Sequence, residues 1–153
     1  MRCEPPSLPS QHELLLALYG TPVDDEPLCW HALELRKLHA RRRRESDGAR
    51  EFDHQRAELR ASVDQWAATH LPPLPPSGAG ELLGTFIDRL SEAAADAFHL
   101  LMTEDPGSDT VHAAWTRLAE LENAYSDLTD DLTRGWRRLP HTECDTTERS
   151  LTE

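Results

Sequence analysis

Several features that would indicate a function are missing from this sequence of 153 residues. Its three cysteines are far apart and lack C-x-x-C spacing, which favours reduced thiols over a disulfide framework or a zinc site. No apolar run reaches the roughly 18 residues of a membrane span, and the first residues lack the apolar core of a signal peptide. Gly-rich phosphate loops and the motifs G-x-S-x-G and H-E-x-x-H are also absent. We therefore expect a cytoplasmic protein without a metal or cofactor, and the sequence alone does not identify its activity.

Positive charge is scarce and unevenly distributed. Lys37 is the one lysine among 16 basic residues, and the formal net charge is −12. Residues 1–80 carry a net charge of −2, whereas residues 81–153 carry −10. Binding to a phosphate backbone requires clustered positive charge, and the run Arg41 to Arg44 would point in all directions on a helix. We therefore expect no binding to nucleic acid, unless the helix with Arg36–Arg44 packs beside Arg56 and Arg60 to form one basic face. The lack of a long apolar run predicts that the protein does not bind membranes either.

The clearest pattern that is present is a helical one near the C-terminus. Apolar residues recur there every three or four positions, which predicts one long amphipathic helix over 109–140. A helix of this length cannot bury its apolar stripe alone, so the pattern predicts a helical bundle. The predicted stripe consists of Val111, Trp115, Leu118, Leu121, Tyr125, Leu128, Leu132 and Trp136.

Capping residues, glycines and prolines divide the rest of the chain into further helices. Ser10 and Glu13 form a capping box, and Gly20 is a helix-ending residue. Gly48 either separates helices two and three or only kinks one long helix, and the sequence leaves both possibilities open. The predicted elements are a short helix ending at Gly20, helices at about 27–44, about 48–70 and about 80–104, and the last helix, capped by Asp109.

The predicted fold class is all-α, a four-helix up-down bundle with a short leading helix and a loose acidic C-terminal tail. Residues 1–9 are proline-rich and predicted to be extended. Residues 10–140 form the single bundle domain, which includes a stiff proline linker at 72–76. Residues 141–153 are polar and acidic with few apolar side chains, which predicts a disordered tail.

A few polar residues fall inside the apolar stripes when the helices are projected at about 100° per residue. They are His31 and His39 on helix two, Arg56 and His70 on helix three, and Glu122 on helix five; helix four shows none. A buried charge is costly unless it is paired. Two interpretations therefore remain open. In one, Arg56 and Glu122 form an internal ion pair and the histidines bind backbone or carboxylate groups; in the other, these residues line a wet pocket.

Several short motifs occur together along the chain. They are LxxLH ending at His39, EFDxxRxxL from Glu51, VDxW ending at Trp66, IDRL from Ile87 and HxxWxxLAELxxxYxDL from His112. In combination they resemble a family of small helical actinobacterial proteins known as a domain of unknown function. The resemblance covers about residues 8–140 and implies an all-helical cytoplasmic protein, sometimes encoded near biosynthetic genes. It implies no activity and no site residues, although His39 and Arg56 occupy matching positions.

These observations lead to two hypotheses. In the first, the protein is a non-catalytic bundle that acts by binding, as a homodimer or as an accessory partner in a bacterial biosynthetic pathway. Apolar edges such as Leu15, Leu16 and Trp30 favour such contacts.

In the second hypothesis, the protein is a small metal-independent enzyme with a pocket between helices two, three and five. His39 would act as the acid/base, Arg56 would anchor an anion, and Glu122 or His31 would orient them. The ligand would then be a small polar or anionic intermediate. A concave cavity at these residues would distinguish this hypothesis from the first.

Overall fold

The computed structural model of the chain describes residues 8–21, 26–71 and 83–138, with side chains up to residue 131. Within these ranges it contains five helices and no strand, so the predicted all-α class is confirmed. The proline linker, the acidic tail and most of the predicted extended segment lie outside the described residues. The helices are α1 (Gln11–Leu18), α2 (Pro27–Arg44), α3 (Ala49–His70), α4 (Leu83–Thr103) and α5 (Asp109–Arg138).

The ends of α1 are set by the residues that the sequence indicates. The Ser10 hydroxyl accepts a hydrogen bond from the Glu13 amide at 3.1 Å and caps the helix N-terminus. At the other end Gly20 adopts a positive φ of 104°. The amides of Gly20 and Thr21 donate to the carbonyls of Ala17 and Leu16, the paired bonds of a Schellman motif. Local sequence therefore determines where this helix begins and ends.

Helices α2 and α3 are separate elements, which answers the question that the sequence left open. The backbone becomes extended at Glu45, and Gly48 takes a φ of 89° immediately before α3. Glycine has no Cβ, so it adopts this left-handed conformation without strain.

The start of α5 differs by one residue from the prediction. The capping side chain is that of Ser108, whose hydroxyl accepts from the Val111 amide at 3.3 Å. Asp109, the predicted cap, is the first residue inside the helix, where its negative charge favours the positive helix end.

Helix α4 is the central element because it packs against α2, α3 and α5. Helix α1 packs against α2 and α5, whereas α3 and α5 share no substantial interface. Three contacts fix α3 and α4 as antiparallel: Arg56 with Asp88, Arg60 with Thr85, and Asp64 with Gly84. Among the described residues α3 and α5 each pack on α4 without a substantial interface to one another, so the helices do not enclose the predicted pocket between helices two, three and five there.

The core lies where these helices meet around α4. On α5, the predicted stripe residues Val111, Leu118 and Tyr125 are buried, while Trp115 and Leu121 are partly buried. Leu132 and Trp136 lie beyond the described side chains. The largest fully buried side chains from the other helices are Leu14, Leu18, Leu28, Leu35, Val63, Ile87 and Leu90.

Helices α3 and α4 approach each other most closely at Gly84. The Asp64 carboxylate accepts a hydrogen bond from the Gly84 amide at 2.7 Å. This bond satisfies an N–H in the first turn of α4 that has no partner within its own helix. A Cβ at residue 84 would overlap the Arg60 carbonyl oxygen, so only glycine fits this contact.

Tyr125 ties the segment before α1 to α5. Its hydroxyl donates to the Pro9 carbonyl at 2.6 Å, and both residues are fully buried.

We expect Tyr125→Phe to destabilise the protein by about 1–3 kcal/mol, since the buried carbonyl loses its donor. Urea unfolding followed by circular dichroism measures this. The matched control is Tyr19→Phe, because Tyr19 is half-exposed and should change stability little; equal effects of the two substitutions would contradict the prediction.

Candidate functional site

Three helices bring a histidine, an aspartate and an arginine together in the interior. The His39 Nε2 on α2 lies 2.7 Å from Asp88 Oδ1 on α4. The Arg56 Nε on α3 donates to Asp88 Oδ2 at 2.6 Å. Asp88 is 1% exposed and His39 6%. Both oxygens of a buried carboxylate are thus engaged, and we call these three residues the His39–Asp88–Arg56 cluster.

The sequence places Asp88, together with Arg89, in ion pairs at a helix–helix edge, and it predicts no polar residue inside the apolar stripe of helix four. This expectation is wrong for Asp88 and also for Ser91, which donates to the Ala32 carbonyl at 3.1 Å. Since α4 contacts three helices, its buried surface is wider than one apolar stripe. The sequence feature that indicates this wider buried surface is the alanine run at 93–95. All three alanines are buried, which is typical of a central helix.

Arg56 has a different partner from the predicted one. The sequence hypothesis paired it with Glu122, but its guanidinium binds Asp88 and lies 3.8 Å from Glu92. The predicted ion pair between Arg56 and Glu122 is therefore wrong, since Glu122 belongs to α5 and α3 packs on α4 instead. The two predicted residues that do meet are His39 and Arg56, and they meet through Asp88.

The electrostatics of the cluster favour an ionised aspartate. Burial by itself raises the pKa of the Asp88 carboxyl. The hydrogen bonds and the nearby charges of His39 and Arg56 outweigh this effect and hold the pKa below its usual value. A carboxylate in this position fixes the orientation of the imidazole and compensates the guanidinium charge.

Phe52 packs beside the cluster. Its ring lies edge-to-face with His39, with 5.4 Å between the centroids, and the Arg56 guanidinium carbon is 5.8 Å from its centre. Phe52 and Leu38 line a cavity of about 280 Å³ between the end of α2 and the start of α3. His39 is not part of the lining of this cavity. The histidine is therefore packed against side chains instead of facing an open pocket.

The other two predicted site residues lie elsewhere. His31 is on α2, about two turns before His39, and burial lowers the pKa of its imidazole while the charge of Glu34 opposes this. Glu122 is partly buried on α5, where burial raises the pKa of its carboxyl. The predicted set of His31, His39, Arg56 and Glu122 thus does not form one site.

A more open feature runs between α2 and α3. This groove, which we call the α2–α3 groove, has a volume of about 410 Å³. Leu38 and Leu59 contribute apolar surface, and Trp30 is 50% exposed at one end. Lys37 and Glu58 stand on its two walls. The groove combines an exposed aromatic side chain with charged walls, as protein interfaces do.

Two further classes of site are absent from the described part of the chain. There, no group of three or more His, Cys, Asp or Glu side chains is placed to hold a metal ion. None of the helices with described residues has the length and hydropathy of a membrane span.

Cys29 is buried and free, and burial together with the charges of Glu26 and Glu13 raises the pKa of its thiol to about 12. This thiol is therefore unreactive at neutral pH.

Comparisons of the chain with protein-family models, with curated proteins and with solved structures found no match. The resemblance to an actinobacterial helical family stays a prediction from the motifs. Function must therefore be argued from the chain's own surfaces and contacts.

Proposed function

We propose that this protein acts by binding, as a homodimer that forms through the α2–α3 groove, and not by catalysis. The observation that carries the proposal is the half-exposed Trp30 beside a groove with charged walls. Large aromatic side chains at the edge of such a groove are the common anchors of protein interfaces.

The His39–Asp88–Arg56 cluster supports a structural role for the residues that an enzyme would use. A general acid or base must reach the substrate's proton directly or through one water molecule. His39 is almost fully buried and bonded to Asp88, and its ring packs against Phe52. We interpret the cluster as the polar contact that fixes α2, α3 and α4 together.

Charge complementarity favours a second copy of the chain as the occupant of the groove. The α2 wall carries Lys37 and Arg41 beside one acidic residue, Glu34. The α3 wall carries Glu58. Glu51, on the same helix, lines the adjoining cavity of about 280 Å³. In a two-fold symmetric contact, the α2 wall of one protomer faces the α3 wall of its partner. The basic wall would then meet the acidic wall twice, with Lys37 and Glu58 exchanging their partners within one protomer, Glu34 and His54, for each other.

An unsatisfied polar atom in the groove also favours an occupant. The His31 Nδ1 is buried and has no hydrogen-bond partner among the described residues. Buried polar atoms are nearly always paired in folded proteins. A side chain of the second copy would supply the missing partner once the His31 imidazole turns toward the groove.

Other parts of the proposal rest on the sequence. We place the protein in the cytoplasm of an actinobacterium, as an accessory to a biosynthetic pathway, and we propose that α2 to α5 form an up-down bundle with α1 beside them. The antiparallel register of α3 and α4 supports this arrangement.

The dimer is tested by measuring mass in solution over a range of concentrations, by light scattering and native mass spectrometry. We expect a dimer whose dissociation constant rises at least about tenfold in Trp30→Ser, as for the loss of an interface anchor. The control is Met102→Ser, which removes the most exposed large apolar side chain, 83% exposed and outside the groove. It should leave the dimer unchanged.

A charge exchange tests the orientation of the two copies. Lys37→Glu and Glu58→Lys should each weaken the dimer, and the double variant should recover part of the loss. A protein that stays monomeric at every concentration, or a dimer indifferent to Trp30→Ser, would overturn the proposal.

A further inference from the structure

A second group of side chains lies outside the α2–α3 groove and outside the buried cluster. Three aromatic rings and one guanidinium meet at Phe98 on α4. The ring of Tyr19 lies 5.1 Å from that of Phe98, and the ring of Trp115 on α5 lies 5.4 Å from it, both edge-to-face. The guanidinium carbon of Arg36 on α2 lies 5.6 Å from the ring centre. We call these four residues the Phe98 cluster.

Within the described ranges, no carboxylate forms an ion pair with Arg36. It is partly buried, and burial lowers the pKa of its guanidinium. Among the described residues it forms no ion pair, and its Nε is buried without a hydrogen-bond partner. Arg43, one of the next arginines on the same helix, binds Asp96 at 2.6 Å. An uncompensated guanidinium held over an aromatic ring is a typical binding group for anions.

Trp115 adds a second unsatisfied donor to the same cluster. Its indole N–H is buried and has no acceptor in the described part of the chain. Three buried side-chain atoms lack a partner there, and two of them belong to residues that contact Phe98. Since buried donors are normally paired, their coincidence at one aromatic cluster indicates a missing acceptor.

We propose that the Phe98 cluster binds a small molecule that combines an aromatic ring with a carboxylate. The guanidinium fork of Arg36 matches the two oxygens of a carboxylate. The rings of Tyr19, Phe98 and Trp115 supply faces and edges against which an aromatic body packs. Tyr19, which is 48% exposed, is the outer ring of the cluster and would have to turn aside for the ligand to enter.

Glu122 lies on the Tyr19 side of the cluster. Burial and the charge of Glu122 raise the pKa of the Tyr19 hydroxyl. Burial also raises the pKa of the Glu122 carboxyl itself. The proposed site is independent of the α2–α3 groove, since none of its members lines that groove.

The probe for this site is benzoate, followed through the indole N–H resonances of the ¹⁵N-labelled full chain. The Trp115 signal is assigned by its absence from Trp115→Phe. We expect a saturable shift of this signal at roughly millimolar benzoate, and no shift with benzyl alcohol, which has the ring without the charge. A matching response to benzyl alcohol would overturn the role of the carboxylate.

Arginine variants and a second anion complete the test. Arg36→Gln should weaken benzoate binding at least about tenfold, whereas Arg43→Gln on the same helix should leave it unchanged; circular dichroism verifies that both are folded. If Arg36→Gln does not fold, Arg36→Lys serves instead, with a smaller loss expected because it keeps the charge without the fork. Absence of a saturable shift, or tighter binding of phenyl phosphate than of benzoate, would overturn the assignment to aromatic carboxylates.

Discussion

Asp88→Asn is expected to destabilise the protein by about 3 kcal/mol, the lower end of the range for breaking a buried ion pair. The asparagine keeps the volume of the side chain but removes its charge. The asparagine oxygen can accept from Arg56 Nε–H, but its NH₂ group then faces His39 Nε2, which avoids a donor–donor contact only in the tautomer that leaves Nε2 unprotonated. Arg56 is 30% exposed, so water and Glu92 compensate part of its charge. Urea unfolding monitored by circular dichroism measures the change.

A matched control exists on the same helix. Asp96 pairs with Arg43 at 2.6 Å, and both side chains are partly exposed. We expect Asp96→Asn to cost about 1 kcal/mol or less, as is usual for exposed ion pairs. Equal losses of stability in Asp88→Asn and Asp96→Asn would show that the burial of Asp88 contributes nothing to stability. That result would contradict the structural role assigned to the cluster.

The same cluster predicts a dependence of stability on pH. The folded-state pKa of Asp88 lies below its ordinary value of 3.8. The resulting stabilisation is therefore fully present above the unfolded-state pKa and is lost as the pH falls through the folded-state pKa. In acid the stability difference between the wild type and Asp88→Asn should consequently narrow. A difference that stays constant as the pH falls would contradict this assignment.

Gly84→Ala is expected to cost about 3 kcal/mol, the upper end of the usual range for overpacking. The added Cβ would overlap the Arg60 carbonyl and crowd the Asp64 carboxylate. Helices α3 and α4 would have to separate, which would also stretch the hydrogen bond between Asp64 and the Gly84 amide. A loss of stability would be diagnostic of the close approach of α3 and α4, since alanine in place of glycine ordinarily stabilises a helix by about 1 kcal/mol.

The control for this substitution is Gly107→Ala in the turn between α4 and α5. A Cβ there would meet its nearest atom at 3.9 Å, so the change should be close to neutral. Both free energies of unfolding come from the same urea titration as for Asp88→Asn. If Gly84→Ala were as stable as the wild type, the close approach of α3 and α4 would be disproved.

Local sequence determined the fold class of this protein, the ends of several helices and some of the buried positions. The capping of α1 at Ser10, its end at Gly20 and the break at Gly48 follow from side-chain and backbone preferences that act within a few residues. The all-α class follows from helical periodicity, which also identified Val111, Leu118 and Tyr125 as buried.

Tertiary structure alone decided how the polar residues are paired. Periodicity placed His39 and Arg56 on inward faces, but it could not show which helices those faces meet. Asp88 was placed at a helix–helix edge instead of in the interior because a single stripe describes a helix that packs on one side, whereas α4 packs against three helices. Arg56 consequently binds Asp88 on α4 and not Glu122 on α5. Such pairings depend on contacts between residues distant in sequence, and a local pattern records which side of a helix is buried but not what lies against it.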